Sequence, residues 1–92
     1  MIRSFRHRGL EAFFQTGSLA GIRAPHAAKI RMVLARLHAA TSPFDMRLPG
    51  LHLHRLSGDR YGQWSVRVSG NWRITYGFDG PDAVDVNYED YH

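Results

Sequence analysis

Cysteine is absent from the sequence, which excludes a disulfide framework, a thiolate nucleophile and any zinc site built on sulfur. Lysine is nearly absent: eleven of the twelve cations are Arg, and Lys29 is the exception. Basic residues stop altogether at Arg73. Residues 1–73 carry all twelve against Glu11, Asp45 and Asp59, a net of +9, whereas residues 74–92 carry five carboxylates and a net of −5. There is no long apolar run, and Met1-Ile2-Arg3-Ser4-Phe5 does not lead into one of signal-peptide or membrane-span length. A soluble cytoplasmic protein without a membrane partner is the expectation. Repeats, low-complexity stretches and linkers are missing too, so 92 residues make one domain, 1–92.

What is present suffices for a packed core: 43% of residues are apolar and 12% aromatic, too many for a disordered chain. The Arg bias favours a polyanionic partner, because the planar guanidinium fork matches phosphate oxygens and stacks on bases. A basic surface that merely maintains solubility, or meets an acidic protein, is the competing reading.

Residues 2–5 read as a short strand. Leu10, Phe13 and Phe14 then recur at helical spacing, with Gly17 in the position of a C-terminal cap. A second helix is expected from about Pro25 to about Ala40, with Ile30, Val33, Leu34 and Leu37 as its buried stripe. Lys29, Arg31 and Arg36 fall mostly off that stripe. From residue 51 the period changes to two, giving candidate strands at 51–56, 63–68, 72–78 and 83–88, separated by Gly-, Asn- and Asp-rich turns. The fold class is therefore α+β: two N-terminal helices on one face of an antiparallel meander, plus the short N-terminal strand. Two helices cover one face of such a sheet and leave the other to water.

Strand parity then selects the residues of the uncovered face. Placing Trp64, Val66 and Val68 towards the helices, together with Trp72, Ile74, Tyr76 and Phe78, requires an odd loop, and Ser69-Gly70-Asn71 supplies three residues. The expected pairs are Val68–Trp72, Val66–Ile74 and Trp64–Tyr76, with Arg67 directly opposite Arg73 on the other face. Opposed like charges destabilise a sheet unless a third group compensates. A bound phosphate would do so; so would a carboxylate from the last strand, where Val84, Val86 and Tyr88 inward put Asn87 or Glu89 beside Arg73. The same parity sends Leu51 and Leu53 inward and His52 and His54 to the Arg face. Tyr91 shares that parity, and His92 ends the chain beside it.

These residue types suit RNA cleavage without a metal or other cofactor. A base takes the proton of a ribose 2′-hydroxyl, an acid protonates the leaving 5′-oxygen, and cations stabilise the phosphorane between them. Imidazole, with an ordinary pKa near 6.5, serves as either acid or base, while Arg can only be the electrostatic clamp. A metal site on His52, His54 and Asp90 or His92 is disfavoured by the missing thiolates and the adjacent guanidinium groups. The glycines around Asp59 form a turn and not a phosphate-cradling loop.

Several stretches resemble one family of toxins. They are Ile2-Arg3-Ser4-Phe5, Thr41-Ser42-Pro43 with Leu48-Pro49-Gly50, Leu53-His54 followed by Gly58-Asp59-Arg60, the block from Gly62 to Ile74, and the terminal Asp90-Tyr91-His92. By these the chain resembles the HigB toxins of the RelE/ParE superfamily, from bacterial type II toxin–antitoxin systems, along its whole length. The resemblance implies an endoribonuclease that cuts translated mRNA in the ribosomal A site. It also implies a HigA-like helix-turn-helix antitoxin, through which the toxin–antitoxin complex is expected to reach operator DNA. Carried over residue by residue, it makes His54, Arg67, Arg73, Asp90, Tyr91 and His92 the catalytic set, without dividing acid and base among His54, Tyr91 and His92. Arg55, Arg60, Lys29 and Arg36 are the expected RNA-binding cations. One departure stands out: Ser57 occupies a turn position where close relatives often have Lys, so Arg55 or Arg60 must substitute, or activity is weaker. The alternative class is a non-enzymatic gyrase inhibitor of the ParE branch, which lacks the His-containing set. A catalytically weak toxin that mainly binds its antitoxin is a third reading, supported by Ser57.

Overall fold

The computed structural model describes residues 1–91. The first helix, α1 (Arg8–Thr16), is capped at both ends, by a side chain at its start and by the backbone at its end. The ring Nδ1 of His7 accepts a hydrogen bond from Leu10 N at 2.9 Å, satisfying one of the backbone donors that a helix start leaves orphaned. At the other end Gly17 takes a left-handed φ of 80° and donates to Phe13 O, a conformation that a β-carbon disfavours. A 3₁₀ turn at Ala24–His26, with Pro25 inside it, leads into α2 (Ala27–Ala39). The expected stripe of Ile30, Val33, Leu34 and Leu37 is fully buried. Each such side chain contributes about 1.5–3 kcal/mol relative to exposure.

Past Thr41, Ser42 caps a second 3₁₀ turn (Pro43–Met46), and Asp45 closes the box by accepting from the Thr41 and Ser42 backbones. Four antiparallel strands follow in the order β1 (His54–Arg55), β2 (Gln63–Ser69), β3 (Trp72–Asp79) and β4 (Asp82–Asp90). Val66, Val68, Ile74, Tyr76, Ala83, Val86 and Tyr88 join α1 and α2 in one core. The α+β arrangement with both helices on one side of a meander is as expected.

Three details differ, each for a local backbone reason. The β2–β3 loop has two residues, not three: Ser69 pairs with Trp72, and the ladder shifts between Arg67 and Ser69. Gly70, at φ 58°, suits the twist of a two-residue hairpin turn, and a bulge at Val68 absorbs the odd residue while keeping it buried. In β4 a second bulge centres on Asp85, whose φ is 54°. Ala83 rather than Val84 therefore faces the helices. The same bulge interrupts pairing with the N-terminus, so residues 2–5 form two isolated parallel bridges, Ile2 to Ala83 and Phe5 to Val86, instead of a continuous strand. Finally, β1 is only two residues long. His52 at φ 49° breaks the alternation, and Leu51 O is nevertheless tied to Arg67 N at 2.7 Å.

Candidate active site

Register settles which side chains share the face away from the helices. Arg67 opposes Arg73, Ser65 lies between His54 and Thr75, and Thr75 is followed by Asn87. Arg73 in turn has Glu89 as its neighbour on β4. The face is less open than two helices on the other side imply. Ser65 and Thr75 are 2% and 1% exposed, because the turn Gly58–Arg60 brings the Arg60 side chain back over the sheet.

A cleft of about 260 Å³ remains at the β1 end of this face, lined by His54, Arg55, Leu56, Ser57, Ser65, Arg73 and Tyr91. The Nε and Nη1 atoms of Arg73 are buried there and make no hydrogen bond among the described residues. Leaving buried guanidinium N–H donors without an acceptor is costly, so these two donors favour an added acceptor such as an anion. His54 brings an imidazole to the lining of the same cleft, and Tyr91 is tied in place by its N–H donating to Asn71 O at 2.8 Å.

The other expected residues are placed differently. Arg67 is exposed and sits across from Arg73, beside the cleft rather than lining it. Asp90 is in register with Trp72 and so belongs to the alternate set of β4 positions, not that of Glu89. His92 lies outside the described residues. Arg55 lines the cleft, but its guanidinium stacks over Tyr61 (4.8 Å) and Trp64 (5.3 Å) and donates to the Tyr61 hydroxyl at 3.0 Å. Lys29 and Arg36 are on α2, in the layer across the sheet, where Lys29 Nζ donates to Gly50 O. Among the described residues no group of three His, Asp or Glu side chains is placed to hold a metal.

Arg60 makes the feature that sequence reading did not foresee. Its guanidinium grips Glu89 through two bonds, Nη1 to Oε1 at 2.8 Å and Nη2 to Oε2 at 2.7 Å, and Nε donates to Gln63 Oε1. Thr75 Oγ1 (2.6 Å) and Asn87 Nδ2 (3.2 Å) also donate to Glu89 Oε2. The Arg60 fork, aided by Thr75 and Asn87, lowers the Glu89 pKa below the usual carboxylate range against a desolvation penalty, and Glu89 raises that of Arg60. Parity alone had placed Glu89 on this face; the return of a turn residue 29 positions earlier has no periodic signal.

On the helical side a different cluster surrounds the hairpin end. The Tyr88 hydroxyl and His26 Nδ1 are 2.7 Å apart in a buried contact, Trp72 packs on both rings, and Arg23 lies 4.9 Å over Trp72. Burial pushes the Tyr88 phenol up, partly offset by Arg23. This cluster anchors the end of β4 from which Tyr91 projects.

A two-helix layer under an antiparallel meander, with Arg, His and Tyr converging on its far face, defines a RelE-like toxin. The sequence model of the RelE-like HigB toxins of type II toxin–antitoxin systems matches residues 3–92, and the chain belongs to that family. It is 42% identical over 92 residues to the endoribonuclease HigB of Proteus vulgaris, covering the whole of both chains. Membership in a toxin–antitoxin system makes an antitoxin its partner. Among the described residues no helix is long and apolar enough to cross a membrane.

Proposed function

We propose that this toxin is an endoribonuclease that acts in the cytoplasm, cutting mRNA in the ribosomal A site and so blocking translation. The observation that carries the reading is the cleft that Arg73 lines with His54 and Tyr91, two of the Arg73 nitrogens being buried without a hydrogen bond among the described residues. A phosphodiester placed there meets a fixed positive charge on its non-bridging oxygens. The 2′-hydroxyl loses its proton to a base and its oxygen attacks the adjacent phosphorus. The bond to the 5′-oxygen breaks as an acid protonates it, leaving a 2′,3′-cyclic phosphate. His54, Tyr91 and His92 are the groups for the two proton transfers. Arg73, with Arg67 across the strand pair, stabilises the extra negative charge of the phosphorane. Asp90 completes the terminal set by family resemblance.

Such a small cleft orients a flexible RNA poorly by itself, and phosphate contacts carry no register. A ribosome that presents and bends the mRNA supplies that orientation, which is worth several powers of ten in rate. Lys29 and Arg36 on α2, far from the cleft, suit contact with ribosomal RNA, and Arg55 suits the path of the mRNA. A HigA-like helix-turn-helix antitoxin is the partner the family suggests, with operator DNA bound through it. The relative's name, an endoribonuclease at 42% identity, supports the chemistry.

The deciding experiment maps 5′ ends of mRNA on translating ribosomes with and without the toxin. New ends at A-site codons, lost in Arg73→Ala and His54→Ala, are expected. Growth arrest with DNA-damage signalling and no new mRNA ends would instead mark a gyrase inhibitor.

A further inference from the structure

Glu89 stands next to Arg73 on the neighbouring strand, in register, and yet does not bond to its Nε or Nη1. Directly opposed side chains on adjacent strands start about 4.5–5.5 Å apart at Cβ, close enough for a carboxylate to reach a guanidinium. What diverts it is a competing set of donors: Glu89 Oε1 accepts from Arg60, and Oε2 accepts from Arg60, Thr75 and Asn87, which together fix where the ionised carboxylate lies. The parallel two-bond fork of Arg60 is the strongest of these holds. Arg60 is itself steadied by Gln63 at 3.0 Å and lies 5.5 Å from the Tyr91 ring centre.

We propose that Arg60 is a positioning residue that acts through Glu89: it sequesters the carboxylate that stands in register beside Arg73, and so keeps the cleft cationic for a phosphate. This rests on the reading of the cleft as a phosphodiester site, and it assigns Arg60 a task other than gripping RNA. The sign of the charge arithmetic makes it unusual. Loss of a cation lying outside the cleft lining blocks the site not by weakening the attraction of RNA but by releasing a competing anion.

The test is a double-mutant cycle. Arg60→Ala is expected to lower kcat/KM for ribosome-bound mRNA by tenfold or more, whereas Glu89→Gln stays within about threefold of the starting protein. Arg60→Ala combined with Glu89→Gln returns to within about threefold of Glu89→Gln alone. Arg60→Lys, which keeps a single-point hold on the carboxylate, falls between. If the double variant is as slow as Arg60→Ala, Arg60 grips RNA directly and the proposal is overturned. If the loss instead follows the drop in Tm across the four proteins, the role is structural and the proposal again fails.

A readout independent of cleavage separates this from the function reading. In Arg60→Ala, a crystal structure is expected to show a Glu89 oxygen within 4 Å of an Arg73 guanidinium nitrogen, and the ¹³C carboxylate titration of Glu89 to remain depressed by its new partner. A Glu89 carboxylate that stays with Thr75 and Asn87 sinks the inference whether or not RNA is cut. Should the unmodified toxin cut no RNA while Glu89 still swings to Arg73, the function reading falls and the charge relationship stands.

Discussion

Arg67 and Arg73 face one another across β2 and β3, and the inner of the two, Arg73, has its Nε and Nη1 buried without a hydrogen bond among the described residues. A sheet does not gain from such a pair. On the proposed reading its cost is offset in function, since Arg73 lines the cleft that His54 and Tyr91 share.

Replacing Arg73 should therefore separate activity from stability. Arg73→Met is expected to lower cleavage of ribosome-bound mRNA by about a hundredfold or more, the usual scale for losing one preorganised charge-stabilising group. The Tm should stay level or rise, since a half-buried guanidinium with two buried donors unbonded among the described residues is replaced by an apolar chain of similar length. Calorimetry alongside single-turnover cleavage checks both halves; a large fall in Tm would contradict the reading of Arg73 as strained for function.

Glu89 sets a pH dependence of folding. Its folded-state pKa is lowered, first by the bonds from Arg60, so the folded state binds the proton less readily than the unfolded chain does. Its stabilisation is present above the unfolded value of about 4.3 and is lost as pH falls through the lower folded value. In Glu89→Gln, Tm should fall less between pH 6 and pH 3 than it does in the unmodified protein. The two Tm profiles, measured in the same buffers, check it; parallel profiles would show that the network contributes no proton linkage.

Tyr76 offers a gain. Its hydroxyl is buried in the core without a hydrogen-bond partner among the described residues, and burial pushes its pKa well up. An unsatisfied buried donor costs about 1–3 kcal/mol, and removing the hydroxyl deletes that cost while leaving a small void. Tyr76→Phe is expected to raise unfolding free energy by about 1 kcal/mol in urea titrations, with mRNA cleavage unchanged. A lower urea midpoint would mean that the hydroxyl has a partner that stabilises it.

Local pattern was enough to read both helices and their buried stripe, because the spacing of Ile30, Val33, Leu34 and Leu37 and the Gly17 cap act within a turn or two of the chain. Alternation was enough to oppose Arg67 to Arg73 and to put His54 on their face, since side chains in a strand obey a period of two. What that period could not show is where it fails: at Val68, Asp85 and His52 the backbone inserts or twists by one residue, which moved Val84 outward and shortened the first strand to His54–Arg55.

Composition and periodicity by themselves determined a basic, Arg-rich, cysteine-free α+β domain with an Arg, His and Tyr surface, and the likeness to the HigB toxins supplied the rest. Only the tertiary structure decided which cations are available. Arg60 pairs with Glu89, 29 positions away, Arg55 stacks on two aromatic rings, and Arg73, which lines the cleft, is the one of the three with two nitrogens unbonded among the described residues. Charge is counted along a sequence, but whether a charge is neutralised depends on which groups the fold brings within bonding distance.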